Sequence, residues 1–202
     1  GAREVYNRGA GGDEFSTFFG QYSGINSTGG GNNAFGRSAL ASNTTGHANS
    51  AFGNNVLQYN TTGYCNNSFG VQSLINNITG SSNNAFGYNA LESNTEGNNN
   101  IAIGGFTLGS NTTGDDNTAV GSSALQNNTT GNQNVGLGYG ALILNTTGNQ
   151  NVALGVEAGR RLNDGDNSYN TISSNSIYLG YDTRANANDE TNQIVIGHSA
   201  RG

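Results

Sequence analysis

Few residues of this 202-residue chain could act in catalysis or bind a metal ion. The sequence holds two histidines, His47 and His198, and one cysteine, Cys65. A nucleophilic site needs its members side by side, whereas His47 and Cys65 occupy variable positions one repeat apart. We therefore expect solvated histidines and no enzyme active site. A single thiol also cannot form an internal disulfide.

The acidic residues supply one weak candidate for a cation site. Asp164 and Asp166, in the stretch NDGDN, place carboxylates at alternate positions as a calcium loop does. The bidentate Glu that closes such a loop is missing. The pairs Asp115–Asp116 and Asp189–Glu190 are expected to be solvated. We predict no metal and no cofactor, with calcium as the weak alternative.

Asparagine sequons are numerous and recur at one position of the repeat. Glycosylation there would attach sugars to one edge of every coil, but the turns of the repeat already require these residues. The candidates for glycosylation at this position are Asn43, Asn60, Asn77, Asn111, Asn128 and Asn145.

Aromatic residues follow the repeat glycines and could form an exposed stripe that stacks on carbohydrate. We favour packing of these rings against a neighbouring chain over sugar binding. The residues are Tyr22, Tyr88, Phe106, Tyr139 and Tyr181.

Composition excludes several classes of partner. Charged residues make up 10% of the chain, the net charge is -6, and there is no basic patch for nucleic acid. There is no apolar run of about 18 residues, so membrane insertion is not expected. The chain begins at Gly1, and we interpret it as a processed protein or a segment of a longer one.

An exact glycine repeat organises the chain. Each step between the repeat glycines is 17 residues, and a second glycine follows most of them by ten. Equal steps of this size predict stacked coils. The chain should therefore be all-β, a parallel β-solenoid (β-roll) of 17-residue coils. The ladder glycines are Gly36, Gly53, Gly70, Gly87, Gly104, Gly121, Gly138 and Gly155.

The repeat divides the chain into four parts. Residues 1–15 form an N-terminal leader, and residues 16–155 form the regular solenoid. Residues 156–176 interrupt the period by eight residues and are expected to be an inserted loop. Residues 177–202 form the final, divergent coils.

Alternation within a coil predicts two short strands. The residue before each ladder glycine is large and apolar, as at Phe35, and the residue before that is small, as at Ala34. We expect the large residues to fill the coil and the small ones to face another chain. A second strand should carry the pair Ala39–Leu40 and its equivalents. The Asn-Thr-Thr-Gly corner should turn the chain and stack its asparagines into hydrogen-bonded ladders.

Such a thin coil should be marginally stable alone. Burying about one large apolar residue per strand gives only a few kcal/mol, which is less than the cost of ordering 17 residues. We expect a homo-oligomer, with three rods around one axis. Unpaired strands at the two ends also favour end-to-end stacking into a filament.

The repeat N-x-A-[FIVL]-G-x-x-A-L-x-x-N-T-T-G resembles two families of fibrous proteins. It is similar to the shaft repeats of bacteriophage tail fibres and tailspikes. It also resembles the head repeats of trimeric autotransporter adhesins, in NIAIG (residues 100–104) and NVALG (residues 151–155). This resemblance implies a left-handed, trimeric β-roll with no active site. The adhesin heads repeat at a shorter period.

Two functions remain open on the sequence. The favoured one is a non-enzymatic structural protein, the shaft of an extracellular, cell-surface or virion fibre that associates with itself. The alternative is a carbohydrate- or receptor-binding module that contacts cell-surface glycans through the aromatic stripe or the inserted loop. An enzyme is the least favoured.

Overall fold

The computed structural model describes residues 5–7, 16–162 and 168–201, and it confirms the parallel β-solenoid. Almost every coil contributes one three-residue strand, and the described residues contain no helix. The strands are β1 (Val5–Asn7), β2 (Thr17–Phe19), β3 (Asn33–Phe35), β4 (Ser50–Phe52), β5 (Asn67–Phe69), β6 (Asn84–Phe86), β7 (Ile101–Ile103), β8 (Thr118–Val120), β9 (Val135–Leu137), β10 (Val152–Leu154), β11 (Arg161–Leu162), β12 (Ile177–Leu179), β13 (Arg184–Ala185) and β14 (Ile194–Ile196).

One long sheet joins the coils. Strands β2 to β10, then β12 and β14, pair in parallel in chain order. The register follows the repeat, so that Ala34 lies beside Ala51 and Ala51 beside Ser68. Strand β1 runs antiparallel to β2 at one edge of this sheet. Strands β11 and β13 form a separate parallel pair.

The direction in which the strand side chains point differs from the expectation. The small residue in the middle of strands β3 to β10 is buried, as at Ala34 and Ala51, and the large residue before the ladder glycine, as at Phe35, points outward. The prediction that large residues fill the coil was therefore wrong. One short strand per coil leaves a narrow interior, in which alanine fits opposite leucine.

The leucines lie in turns and not in a second strand. Leu40 and its equivalents have φ between 48° and 53° and are buried. Because a left-handed residue turns the chain, neighbouring side chains there need not alternate between two faces. Ala39 and Leu40 accordingly both point into the core. The predicted second strand is thus a tight turn that adds its leucine to the interior.

Two ladders of buried asparagines run along the solenoid, of which the one at the Asn-Thr-Thr-Gly corner was predicted. At the Asn-Thr-Thr-Gly corner, Asn60 Nδ2 donates to Asn43 Oδ1 at 2.7 Å and to the Gly63 carbonyl at 3.0 Å. The same pattern continues to Asn145 with amide-to-amide distances of 2.7–2.9 Å. The second ladder precedes the strands, where Asn49 Nδ2 donates to Asn32 Oδ1 at 3.1 Å. Each coil is therefore bonded to the next through its interior as well as its sheet.

The described residues on either side of positions 163–167 pair as the arms of a short hairpin beside the coil, with an antiparallel bridge between Arg161 and Tyr169. Glu157 N donates to the Tyr139 carbonyl at 2.8 Å, and Thr146 N donates to the Thr171 carbonyl at 2.7 Å, so the chain on both sides of the hairpin keeps its coil positions. Between them, Leu162 N donates to the Ser168 carbonyl at 2.8 Å. The insertion is thus narrower than residues 156–176.

The first coil exchanges the usual alanine and leucine for phenylalanine and glycine. Phe18 occupies the alanine position of its strand, and Gly24, with a φ of 56°, occupies the leucine position. A Cβ on Gly24 would lie 2.6 Å from Phe18 Cγ. The phenyl ring therefore fills the space that leucine fills elsewhere.

This exchange predicts that two harmful substitutions compensate each other. Phe18→Ala should destabilise the first coil by about 3 kcal/mol through a cavity, and Gly24→Leu should do so through a clash. The double variant restores the alanine–leucine pair and should recover most of the loss. Amide hydrogen exchange in the first coil measures this local stability. A double variant as unstable as the sum of the two single variants would contradict the exchange.

Candidate functional site

The outer surface of the long sheet carries a large apolar side chain in every coil from Phe19 to Ile196. The residues before the ladder glycines form its outer column, and most of them are 36–64% exposed. Strand alternation places a second column, the flank column, on the same surface two residues earlier. The outer column consists of Phe19, Phe35, Phe52, Phe69, Phe86, Ile103, Val120, Leu137, Leu154, Leu179 and Ile196. We call the two columns together the sheet face.

Phenylalanine rings stack in the first half of the outer column. The ring centroids of Phe35 and Phe52 are 4.8 Å apart, those of Phe52 and Phe69 4.7 Å, and those of Phe69 and Phe86 5.0 Å. The ring planes differ by 9° or less. Because neighbouring rings cover each other's faces, they present their edges outward, where a sugar cannot stack on them.

The flank column divides the sheet face into two halves. It is polar beside the phenylalanines, with Thr17, Asn33, Ser50, Asn67 and Asn84, all half-buried. From Ile101 onward it is largely apolar. The members of this second half are Ile101, Thr118, Val135, Val152, Ile177 and Ile194.

The predicted aromatic stripe lies at the turn that follows the sheet. Tyr22, Tyr88, Phe106, Tyr139 and Tyr181 are all exposed. The rings of Tyr88 and Phe106 meet edge to face, with centroids 5.2 Å apart, and Tyr181 stacks on His198 at 5.1 Å. The coils between these rings carry small residues such as Ser122, or Val156. The stripe is therefore a set of separate rings and not a continuous stack.

The histidine and cysteine residues lie on the surface. His47 stacks on Tyr64, with ring centroids 5.0 Å apart and planes 2° apart. Cys65 is exposed and has a φ of 54°. His198 is also exposed. Among the described residues, no hydrogen bond joins His47, Cys65 or His198 to an acidic or basic side chain.

The carboxylates are dispersed, and one of them belongs to a third polar ladder. Asp115 Oδ1 accepts a hydrogen bond from Asn98 N at 2.6 Å, while Asp116 is exposed. Asp189 and Glu190 are exposed as well. The described residues contain no group of three metal-ligating side chains. The calcium candidates Asp164 and Asp166 lie outside the described residues.

The sequon asparagines are buried and their amides are engaged. Asn43, Asn60, Asn77, Asn111, Asn128 and Asn145 are the corner ladder described above. Each Nδ2 donates both to the preceding rung and to a glycine carbonyl, as Asn77 does to Asn60 Oδ1 and to Gly80. A glycan on Nδ2 would replace one of its two hydrogens and so break at least one of these buried bonds, which means that the folded coil does not present these amides for glycosylation.

Tyr178 is a buried polar residue that the sequence analysis did not single out. It stands at the alanine position of β12, and Gly159 makes room for its ring in place of a leucine. Burial raises the pKa of its hydroxyl, and hydrogen bonds with Ser176, Ser173 and Asn170 partly offset that effect. The ring fills the coil beside the inserted hairpin.

Within the described residues there is no helix long and apolar enough to cross a membrane.

The comparisons with known proteins return no relative. The sequence matches no protein-family model, no curated protein and no solved structure.

Proposed function

We propose that this chain is a structural rod, a segment of the shaft of an extracellular, cell-surface or virion fibre, which associates laterally with copies of itself and catalyses no reaction. The observation that carries the proposal is the sheet face. Its large side chains follow one another from Phe19 to Ile196 along the whole stack of coils and point outward. A rod that is apolar along its full length fits side-by-side packing better than recognition of a small ligand.

The exposed apolar area is large enough for a stable interface. Eleven outer-column residues at roughly 70 Å² each give about 800 Å² per chain, which is the usual share of one partner in a specific complex. A monomer usually exposes apolar patches of only a few hundred Å². Three copies around one axis would cover this face on every chain.

Mass measurement by light scattering or sedimentation tests the proposal directly. The wild-type chain should run as a trimer and appear in electron micrographs as short rods or longer filaments. Leu137→Glu places a charge on the sheet face and should shift the protein to monomer. Thr130→Glu, on an exposed turn away from that face, should leave the assembly unchanged. A monomeric wild-type chain at micromolar concentration would contradict the proposal.

Carbohydrate binding is the second candidate function, and the exposed aromatic stripe favours it. Tyr139 is 55% exposed, with a serine and a valine at the equivalent positions of the neighbouring coils. One face of such a ring can stack on a sugar. Glycan-array binding that Tyr139→Ala abolishes and Thr130→Ala leaves unchanged would support this function.

A further inference from the structure

We propose that the polar half of the flank column fixes the direction in which copies of this chain pair through the sheet face. This inference rests on the proposed lateral association. The occupant of the face is a second copy of the chain, and the directing residues are Asn33, Ser50, Asn67 and Asn84.

The two halves of the flank column differ in what they can bury. In the first half, the amides and hydroxyl beside the phenylalanines are half-buried and need hydrogen-bond partners when water is removed. Asn67 Nδ2 already donates to Asn84 Oδ1 at 3.0 Å. In the second half, Ile101, Val135 and Ile177 have no polar group to satisfy.

Parallel pairing brings like residues together. When two copies align in the same direction and register, amides meet amides, and isoleucine and valine meet one another. Reversing one copy about the middle of the column would set Asn33 against Ile177 and Ser50 against Val152. A polar group buried against an aliphatic one is left unpaired, so the reversed arrangement loses affinity. Polar residues in an apolar seam select alignment in this way in coiled coils.

Slipping one copy along the other is opposed more gradually. A shift of one coil sets a single polar rung, Asn84, against Ile101, and each further coil adds one more mismatch. The polar half therefore discriminates most strongly against a reversed copy. Its effect against slippage grows with the number of coils by which one copy is shifted.

Cross-linking of single-cysteine variants tests the direction. In a Cys65→Ser background, Asn33→Cys and Ile194→Cys place one thiol at each end of the flank column. With a bifunctional thiol reagent, each variant alone should cross-link to its own copies. A mixture of the two, one carrying a mass tag, should yield almost no mixed product. Mixed products in place of same-site products would overturn the proposal.

A second set of variants tests the residues held responsible. Ser50→Val, Asn67→Val and Asn84→Val together remove three of the four directing residues, and Val135 and Val152 show that valine fits this position of the strand. In this background the share of mixed cross-links should rise at least tenfold while the assembly persists. Unchanged same-site cross-linking would show that the polar column does not set direction. A monomeric wild type, without cross-links of either kind, would instead remove the proposed lateral association and this inference with it.

Discussion

Gly97→Ala should destabilise the solenoid by about 3 kcal/mol or more, although alanine is the smallest possible addition. A Cβ at this position would lie 2.5 Å from the Gly114 carbonyl oxygen of the next coil and 2.5 Å from Asn94 Oδ1. Both atoms belong to structures that cannot move freely, namely the neighbouring backbone and the corner asparagine ladder. The substitution must therefore separate two coils or break the ladder.

Gly105→Ala in the adjacent coil is the matched control. A Cβ there would meet only the Tyr88 carbonyl oxygen, at 3.8 Å. Other coils carry Asn54, Val71 or Ser122 at the same position, so its backbone suits an ordinary residue. This variant should be neutral or gain up to about 1 kcal/mol by restricting the unfolded chain. Denaturant unfolding at one fixed protein concentration compares the stability of the two variants. An equal loss of stability in both would contradict the explanation that Gly97 is required because the next coil approaches it closely.

The stacking of the coils was predictable from the sequence because it depends only on the spacing of the repeat glycines. Equal steps between Gly36, Gly53 and their successors can only place equivalent residues over one another in parallel coils, and the glycine and asparagine ladders follow from that. The same spacing does not say which side of a strand is inside. In Asn33–Ala34–Phe35 alternation separates alanine from phenylalanine, and the larger residue suggested the core.

The interior depends on the turns, whose conformation the pattern did not reveal. Leu40 follows Ala39 directly, which in a strand would send the two side chains to opposite faces. A left-handed φ of 53° at Leu40 instead brings both inside, and a narrow coil then has room only for alanine across from them. The small residue at the centre of every strand from β3 to β10 was the signal for this arrangement. Because the small residues and the leucines fill the interior, the large residues of the strands point outward and form the sheet face, which is the candidate interface.

Asn94→Ala should cost about 3–5 kcal/mol, because one side chain completes three buried hydrogen bonds. Asn94 Nδ2 donates to Asn77 Oδ1 at 2.8 Å and to the Gly97 carbonyl at 3.0 Å, and its Oδ1 accepts from Asn111 Nδ2 at 2.8 Å. Alanine removes all three bonds and leaves the buried Asn77 Oδ1 without a donor. The Gly97 carbonyl keeps only its bond from Asn83 Nδ2, and Asn111 Nδ2 keeps only its bond to the Gly114 carbonyl. Asn76→Ala, on an exposed turn of the preceding coil, should change stability by no more than about 0.5 kcal/mol. Similar losses from both variants in denaturant unfolding would contradict the role of the ladder.

Asn94→Asp separates the hydrogen-bond pattern from side-chain shape. Aspartate matches asparagine in size but presents an oxygen where the amide donated to Asn77 Oδ1 and the Gly97 carbonyl. Burial among acceptors raises the pKa of the introduced carboxyl in the folded chain, because only its protonated form can donate. The variant should therefore come closest to wild-type stability below about pH 4, where the carboxyl is protonated in both states, and fall behind as the pH rises. The wild-type amide does not titrate, so the difference in unfolding free energy between the two proteins isolates this group. A difference that stays constant from pH 3 to pH 7 would show that the ladder tolerates an acceptor at this rung.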